Sequence, residues 1–213
     1  MKPTSWSFAA TVFLSTGVAG YAVLTYVAGD VQRAPVHPAM VAVFKEHRAL
    51  ITTHAAAAAL ALLLGPFQFL DRLRAARPRL HRTLGYLYLV LGVTVGGLSG
   101  LLLARHSFGG LVSHLGFGLL AVLWLFTGAM AVIAAKSRRF ADHRTWMIRN
   151  FALTFAAVTL RLYLPLGFLS GLHFEDFYPA LAWLCWVPNL VIAEWCLVPS
   201  RASSPTSSSH PNL

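Results

Sequence analysis

Charge is what this sequence has least of. Only 11% of its 213 residues are Asp, Glu, Lys or Arg, and only seven are acidic, where a soluble globular domain carries about 25% charged residues. Too little polar surface is available to cover a water-soluble fold of this size. Cysteine is almost absent too: Cys185 and Cys196 fall in one apolar run, and eleven residues of helix separate them by roughly 16 Å of rise, beyond disulfide reach. They carry no information about redox compartment. The sequence lacks a P-loop, a dinucleotide-binding glycine fingerprint, an HExxH pair and any Ser or Cys nucleophile placed beside a base, so phosphoryl transfer, nicotinamide chemistry and covalent hydrolysis have no support. No tandem repeat of fixed period and no internal domain boundary is found.

What is present is apolar. Residues of the hydrophobic class make up 57% of the chain and the mean hydropathy is +0.63. They are gathered into six runs, 6–28, 49–70, 81–103, 111–135, 146–168 and 179–198, each able to span a hydrocarbon core about 30 Å thick. A backbone in lipid must satisfy its own hydrogen bonds, so the runs read as helices one to six of an all-α, polytopic membrane bundle occupying residues 1–198. The first run is longer than the core of a cleaved signal sequence and has only Lys2 as its basic flank, which reads as a retained anchor. Residues 199–213 are rich in Ser and Pro and read as a disordered tail.

The formal net charge of +10 does not point to nucleic acid, because the basic residues lie between the apolar runs. Arg72, Arg74, Arg77, Arg79 and Arg82 flank helices two and three, while Lys136, Arg138, Arg139, Arg144 and Arg149 flank helices four and five. With Lys2 and Arg201 these stand on one side, against Arg33, Lys45, Arg48 and Arg105 on the other. This asymmetry predicts a multi-pass protein of the cytoplasmic membrane with both termini cytoplasmic.

Five of the nine histidines, His37, His47, His106, His173 and His210, fall in loops or the tail and read as solvated. The other four differ. His54, His81, His114 and His143 stand one each near the starts of helices two to five, and because these helices alternate in direction, two histidines lie toward each side. His54 and His114 share a depth near the outer surface, while His81 and His143 begin their helices at the inner one. Neutral imidazole is a good iron ligand, and a haem takes one from each face. Helices two and four can supply one pair, three and five the other.

Helical spacing places small residues beneath these histidines. Ala58, Ala61, Gly65 and Gln68 follow His54; Gly85, Tyr88, Gly92, Val95 and Ser99 follow His81; Gly118, Ala121, Leu125 and Gly128 follow His114. Such faces leave room against a flat ring, although Gly92, Gly96 and Gly100 alone are also what close helix packing needs. On helix five, Asn150, Thr154 and Arg161 lie at offsets of 7, 11 and 18 from His143, within about 20° of one face. A charge this far inside a helix should meet an anion. Glu194 lies at the wrong depth for Arg161 and suits Arg149 or Arg144 instead, so Arg161 reads either as a structural residue satisfied by backbone carbonyls or water or as the partner of a porphyrin propionate near the outer pair.

The stretches His81-Arg82-Thr83-Leu84-Gly85-Tyr86-Leu87-Tyr88 and His143-Arg144-Thr145-Trp146-Met147-Ile148-Arg149-Asn150, together with His54, Gln68 and Arg161, resemble a bacterial membrane family known as domain of unknown function 2306. The arrangement of one histidine on each of helices two to five is similar to the cytochrome b561 class of di-haem electron carriers. By position, that resemblance implies a four-helix core with His54 and His114 on one haem b and His81 and His143 on the other, Asn150, Tyr88, Gln68 and Arg161 lining the cofactor. The expectation is a haem b protein, with one or two haems, carrying electrons across or within the membrane, and the outer pair is the better site because its depths match. Lipid is the surrounding partner, a quinol is a candidate donor at the inner surface near Tyr88, Trp146 and the arginines, and a homodimer is a candidate assembly. Two readings compete: a binding or transport protein whose histidines and Arg161 handle a metal ion, protons or an anion, and a membrane scaffold subunit whose histidines are merely interfacial.

Overall fold

Six helices are long and apolar enough to cross a membrane in the structure, a computed structural model that describes residues 5–29 and 37–198. They are α1 (Trp6–Val27), α2 (Arg48–Phe69), α3 (Pro78–Ala104), α4 (Gly110–Lys136), α5 (Phe140–Leu169) and α6 (Phe174–Leu197). No strand occurs among the described residues. The six apolar runs of the sequence correspond to them in order, and the tail at 199–213 lies outside the described residues.

Two helices begin earlier than hydropathy alone indicates. The fifth starts at Phe140 rather than near Trp146, because Arg139, Asp142 and His143 form a polar first turn in which Arg139 pairs with Asp142 at 3.0 Å. The sixth starts at Phe174 rather than Pro179, with Glu175 and Asp176 in its first turn, where carboxylates favour the positive end of a helix dipole. Pro179 packs over Gly109, whose φ of +93° begins the turn into α4. A side chain at Gly109 would collide with Ser113 and Pro179, and the backbone sign itself requires glycine. Between α1 and α2 the chain adds a short helix, Pro38–Glu46, that buries Phe44 edge-on against Tyr26 at 5.7 Å.

The helices pack as a ring: α2 lies between α1 and α3, α4 lies between α3 and α5, and α6 closes against α4 and α5, while α1 reaches the second half of α5. Close approach of α2 and α3 depends on glycine. A Cβ at Gly92 would stand 2.9 Å from the Ala61 Cβ and 3.2 Å from its Cα, closer than carbon atoms tolerate. Gly96 makes the same room for the Trp124 ring, and Gly100 for the His54 ring. The glycine stripe of α3 is therefore filled by its neighbours. The large apolar side chains left over, among them Trp6, Phe13, Leu24, Leu111 and Leu169, point outward, as a lipid-facing surface should.

Several helices are not uniform. Pro66, lacking an N–H, converts the last turn of α2 into a 3₁₀ turn. The middle of α3, Leu87–Thr94, is π-helical. In α5 regular helix ends at Thr154 and resumes at Ala156. The sides of the membrane are distinguished below as the basic end, where the α2–α3 and α4–α5 connections lie, and the opposite end.

Candidate functional site

At the centre of the ring the interior is polar and closed. The Tyr88 hydroxyl donates to Asn150 Oδ1 at 2.6 Å and sits 2.8 Å from Thr154 Oγ1, which accepts from Trp124 Nε1 at 2.9 Å. Asn150 Nδ2 donates to the Trp124 carbonyl at 2.8 Å and to Thr127 Oγ1 at 2.9 Å. Both amide hydrogens and the carbonyl oxygen of Asn150 are thus used. The network ties α3, α4 and α5 together and fills the middle of the bundle, so Tyr88 and Asn150 act here as mutual partners. The helical stripe drawn on α5 divides at the break near Phe155: Asn150 and Thr154 enter this network, whereas Arg161 turns toward α1, its guanidinium 5.6 Å from the Tyr21 ring centroid.

At the opposite end, His54 Nδ1 donates to the Gly96 carbonyl at 2.9 Å across the α2–α3 contact. His114 Nε2 donates to the Ser107 carbonyl at 3.0 Å, tying α4 to the loop that precedes it. His114 also borders an apolar groove of about 340 Å³ with Leu101, Gly118 and Trp183. The exposed Leu115, Leu119 and Val122 open this groove to the lipid side.

At the basic end, His143 Nδ1 donates to the Ala131 carbonyl of α4 at 2.9 Å. His81, three residues into α3, has a buried Nδ1 with no partner among the described residues, and its ring lies within electrostatic range of His143. Gln68 is buried; its Oε1 faces Gly85 and its Nε2 has no partner. Beside them Arg149 takes both oxygens of Glu194, at 2.5 and 2.9 Å, and lies 4.6 Å over the Trp146 ring. The depth argument that gave Glu194 to Arg149 or Arg144 is met by Arg149.

The ring nitrogens decide which histidines suit an iron. A carbonyl accepts only from N–H, so a neutral histidine bonded through Nδ1 presents a bare Nε2, and an N–H held by a backbone carbonyl is the usual second contact of a ligating imidazole. His54 and His143 have this arrangement. His114 has the reverse, leaving only Nδ1, the nitrogen crowded by its own Cβ. By this criterion each pair offers one suited imidazole, His143 at the basic end and His54 at the opposite end, while the Nδ1 of His81 has no partner among the described residues. Among the described residues no three His, Cys, Asp or Glu side chains converge as ligands for a bare metal ion.

Sequence reasoning did not single out Trp124, Thr127, Tyr21 or Tyr26. The first two sit one helical turn apart on α4 and were masked by a purely apolar context, in which an indole N–H gives no periodic signal. His47 and His106, read as solvated, lie with their ring centroids 4.0 Å apart and their planes tilted by 38° at the opposite end. No curated protein and no solved structure matches the chain. Residues 51–197, which contain α3 to α5, nearly all of α2 and α6, and all four helix-borne histidines, match the family described as predicted membrane protein (DUF2306), and the chain belongs to that family.

Proposed function

We propose that the protein binds haem b between His81 and His143 and carries electrons at the cytoplasmic membrane, with its basic end and both termini facing the cytoplasm. The observation that carries this reading is the state of the ring nitrogens at the basic end: His143 presents a bare Nε2 because Nδ1 is held by the Ala131 carbonyl, and among the described residues no hydrogen bond occupies either ring nitrogen of His81, so its Nε2 is free as well. A bare metal ion would need three or four protein ligands, which the described residues do not gather; a haem iron takes four nitrogens from its own ring and needs only two from the protein.

Bound haem, held by His81 and His143, would supply one-electron transfer. The protein's part is to orient and to shield. The Ala131 carbonyl fixes the His143 ring, and the Tyr88–Asn150–Thr154–Trp124 network keeps water out of the bundle centre. Positive charge from Arg74, Arg82 and Arg144 near the basic end suits the carboxylates of a porphyrin. A quinol is the donor class that fits Gln68 and His81, since amide and imidazole can each either give or accept a hydrogen bond and so match both redox forms of a quinone oxygen.

The test is haem stoichiometry in histidine variants. His81→Ala and His143→Ala should each lose haem while still inserting, and His114→Ala should keep it. Full haem content in both His81→Ala and His143→Ala would overturn the assignment.

A further inference from the structure

Among the described residues Arg161 has no acidic partner. It lies eight residues before the end of α5 at Leu169, roughly 12 Å of helical rise inside the opposite end. Its Nη1 donates to the Ala157 carbonyl at 3.1 Å, and its Nε is sealed from solvent without a hydrogen-bond partner. The neighbours are neutral. The guanidinium faces the Tyr21 ring, the Tyr26 hydroxyl lies beside both, and His54 and Tyr178 are within electrostatic range. The ion pairs of the described residues, His37–Glu175, Arg74–Asp71, Arg139–Asp142 and Arg149–Glu194, all lie elsewhere. An uncompensated charge at such depth is costly, and charges inside membrane spans are generally functional.

The chain contains a filled counterpart. Arg149 presents its Nε–Nη2 edge to Glu194 and holds one carboxylate oxygen on each nitrogen. At Arg161 the Nε of the same edge has no partner among the described residues, the Tyr26 hydroxyl is the polar group nearest the guanidinium, and Nη1 is committed to the helix. We propose that the Nε–Nη2 edge of Arg161, bordered by Tyr21 and Tyr26, is a binding site for a carboxylate. One guanidinium among neutral side chains balances one negative charge, which favours a monoanion over a phosphate dianion, and the planar fork matches two coplanar oxygens. The carboxylate comes from a free organic acid entering from the opposite end, since a haem at His143 lies about 27 Å of helical rise away. The site needs only the anion, so it stands or falls apart from the haem assignment at the basic end.

The test is thermal unfolding of the purified full-length protein in detergent, with sodium butyrate as probe and sodium chloride at equal ionic strength as control. Butyrate should raise the unfolding temperature saturably, by about 3 °C at tenfold excess over its dissociation constant, and chloride should not. Arg161→Gln should lose the response. Arg161→Lys keeps the charge and the fold but not the fork, and should lose it as well. The response should be the same in haem-loaded and haem-free protein, because the site lies far from the basic end, and a response confined to haem-free protein would overturn the assignment to a free acid. No saturable rise in either state, or an equal rise in both Arg161 variants, would overturn the proposal.

Discussion

The Tyr88 hydroxyl donates to Asn150 Oδ1 across 2.6 Å at the point where α3, α4 and α5 meet, and neither residue has exposed surface. In a bundle without an internal hydrophobic driving force, such bonds hold helices together alongside close packing. Tyr88→Phe removes the donor and leaves a buried amide oxygen unpaired, which should cost about 1–2 kcal/mol. Asn150→Asp should cost more, because an oxygen then faces the Trp124 carbonyl that now accepts from Nδ2. Unfolding in mixed micelles measures both. The double variant should lose less than the sum, since the two residues share one bond.

The glycine stripe of α3 allows a sharper comparison. Gly92→Val must push α2 away from the Ala61 backbone and should lower stability by about 2 kcal/mol or more. Gly118→Ala on α4 meets nothing nearer than the Ala104 Cβ at 3.9 Å, so it should fall within about 0.5 kcal/mol of the parent. Equal losses in the two variants would contradict the packing described for α2 and α3.

The number of helices, their order and the inward position of Asn150 could all be read in the sequence, because apolar length and 3.6-residue spacing report directly on membrane depth and on face. Depth alone assigned Glu194 to Arg149 or Arg144, and the structure pairs it with Arg149. The direction of Arg161 could not be read the same way, since regular helix is interrupted at Phe155, between the Asn150–Thr154 pair and Arg161. Nor could the small-residue faces be assigned. Gly92, Gly96 and Gly100 suit a flat cofactor or a neighbouring helix equally well until the positions of Ala61, Trp124 and His54 are known. The tautomer of His54 also depends on a carbonyl 42 residues away.

Orientation rests on the distribution of Lys and Arg. Reporter fusions at Arg77 and at Lys136 should report the cytoplasm, and a fusion at Gly109 should report the outside. The same side for all three positions would contradict an alternating six-helix bundle.

The central claim is that an iron porphyrin is held at the basic end. An absorption spectrum of the purified protein from haem-replete cells, oxidised and then reduced with dithionite, tests it most directly. The account predicts a strong Soret band that shifts and sharpens on reduction with low-spin α and β bands, present in the parent and in His114→Ala and lost in His143→Ala. A parent spectrum with no Soret band, or one unchanged in His143→Ala, would contradict it.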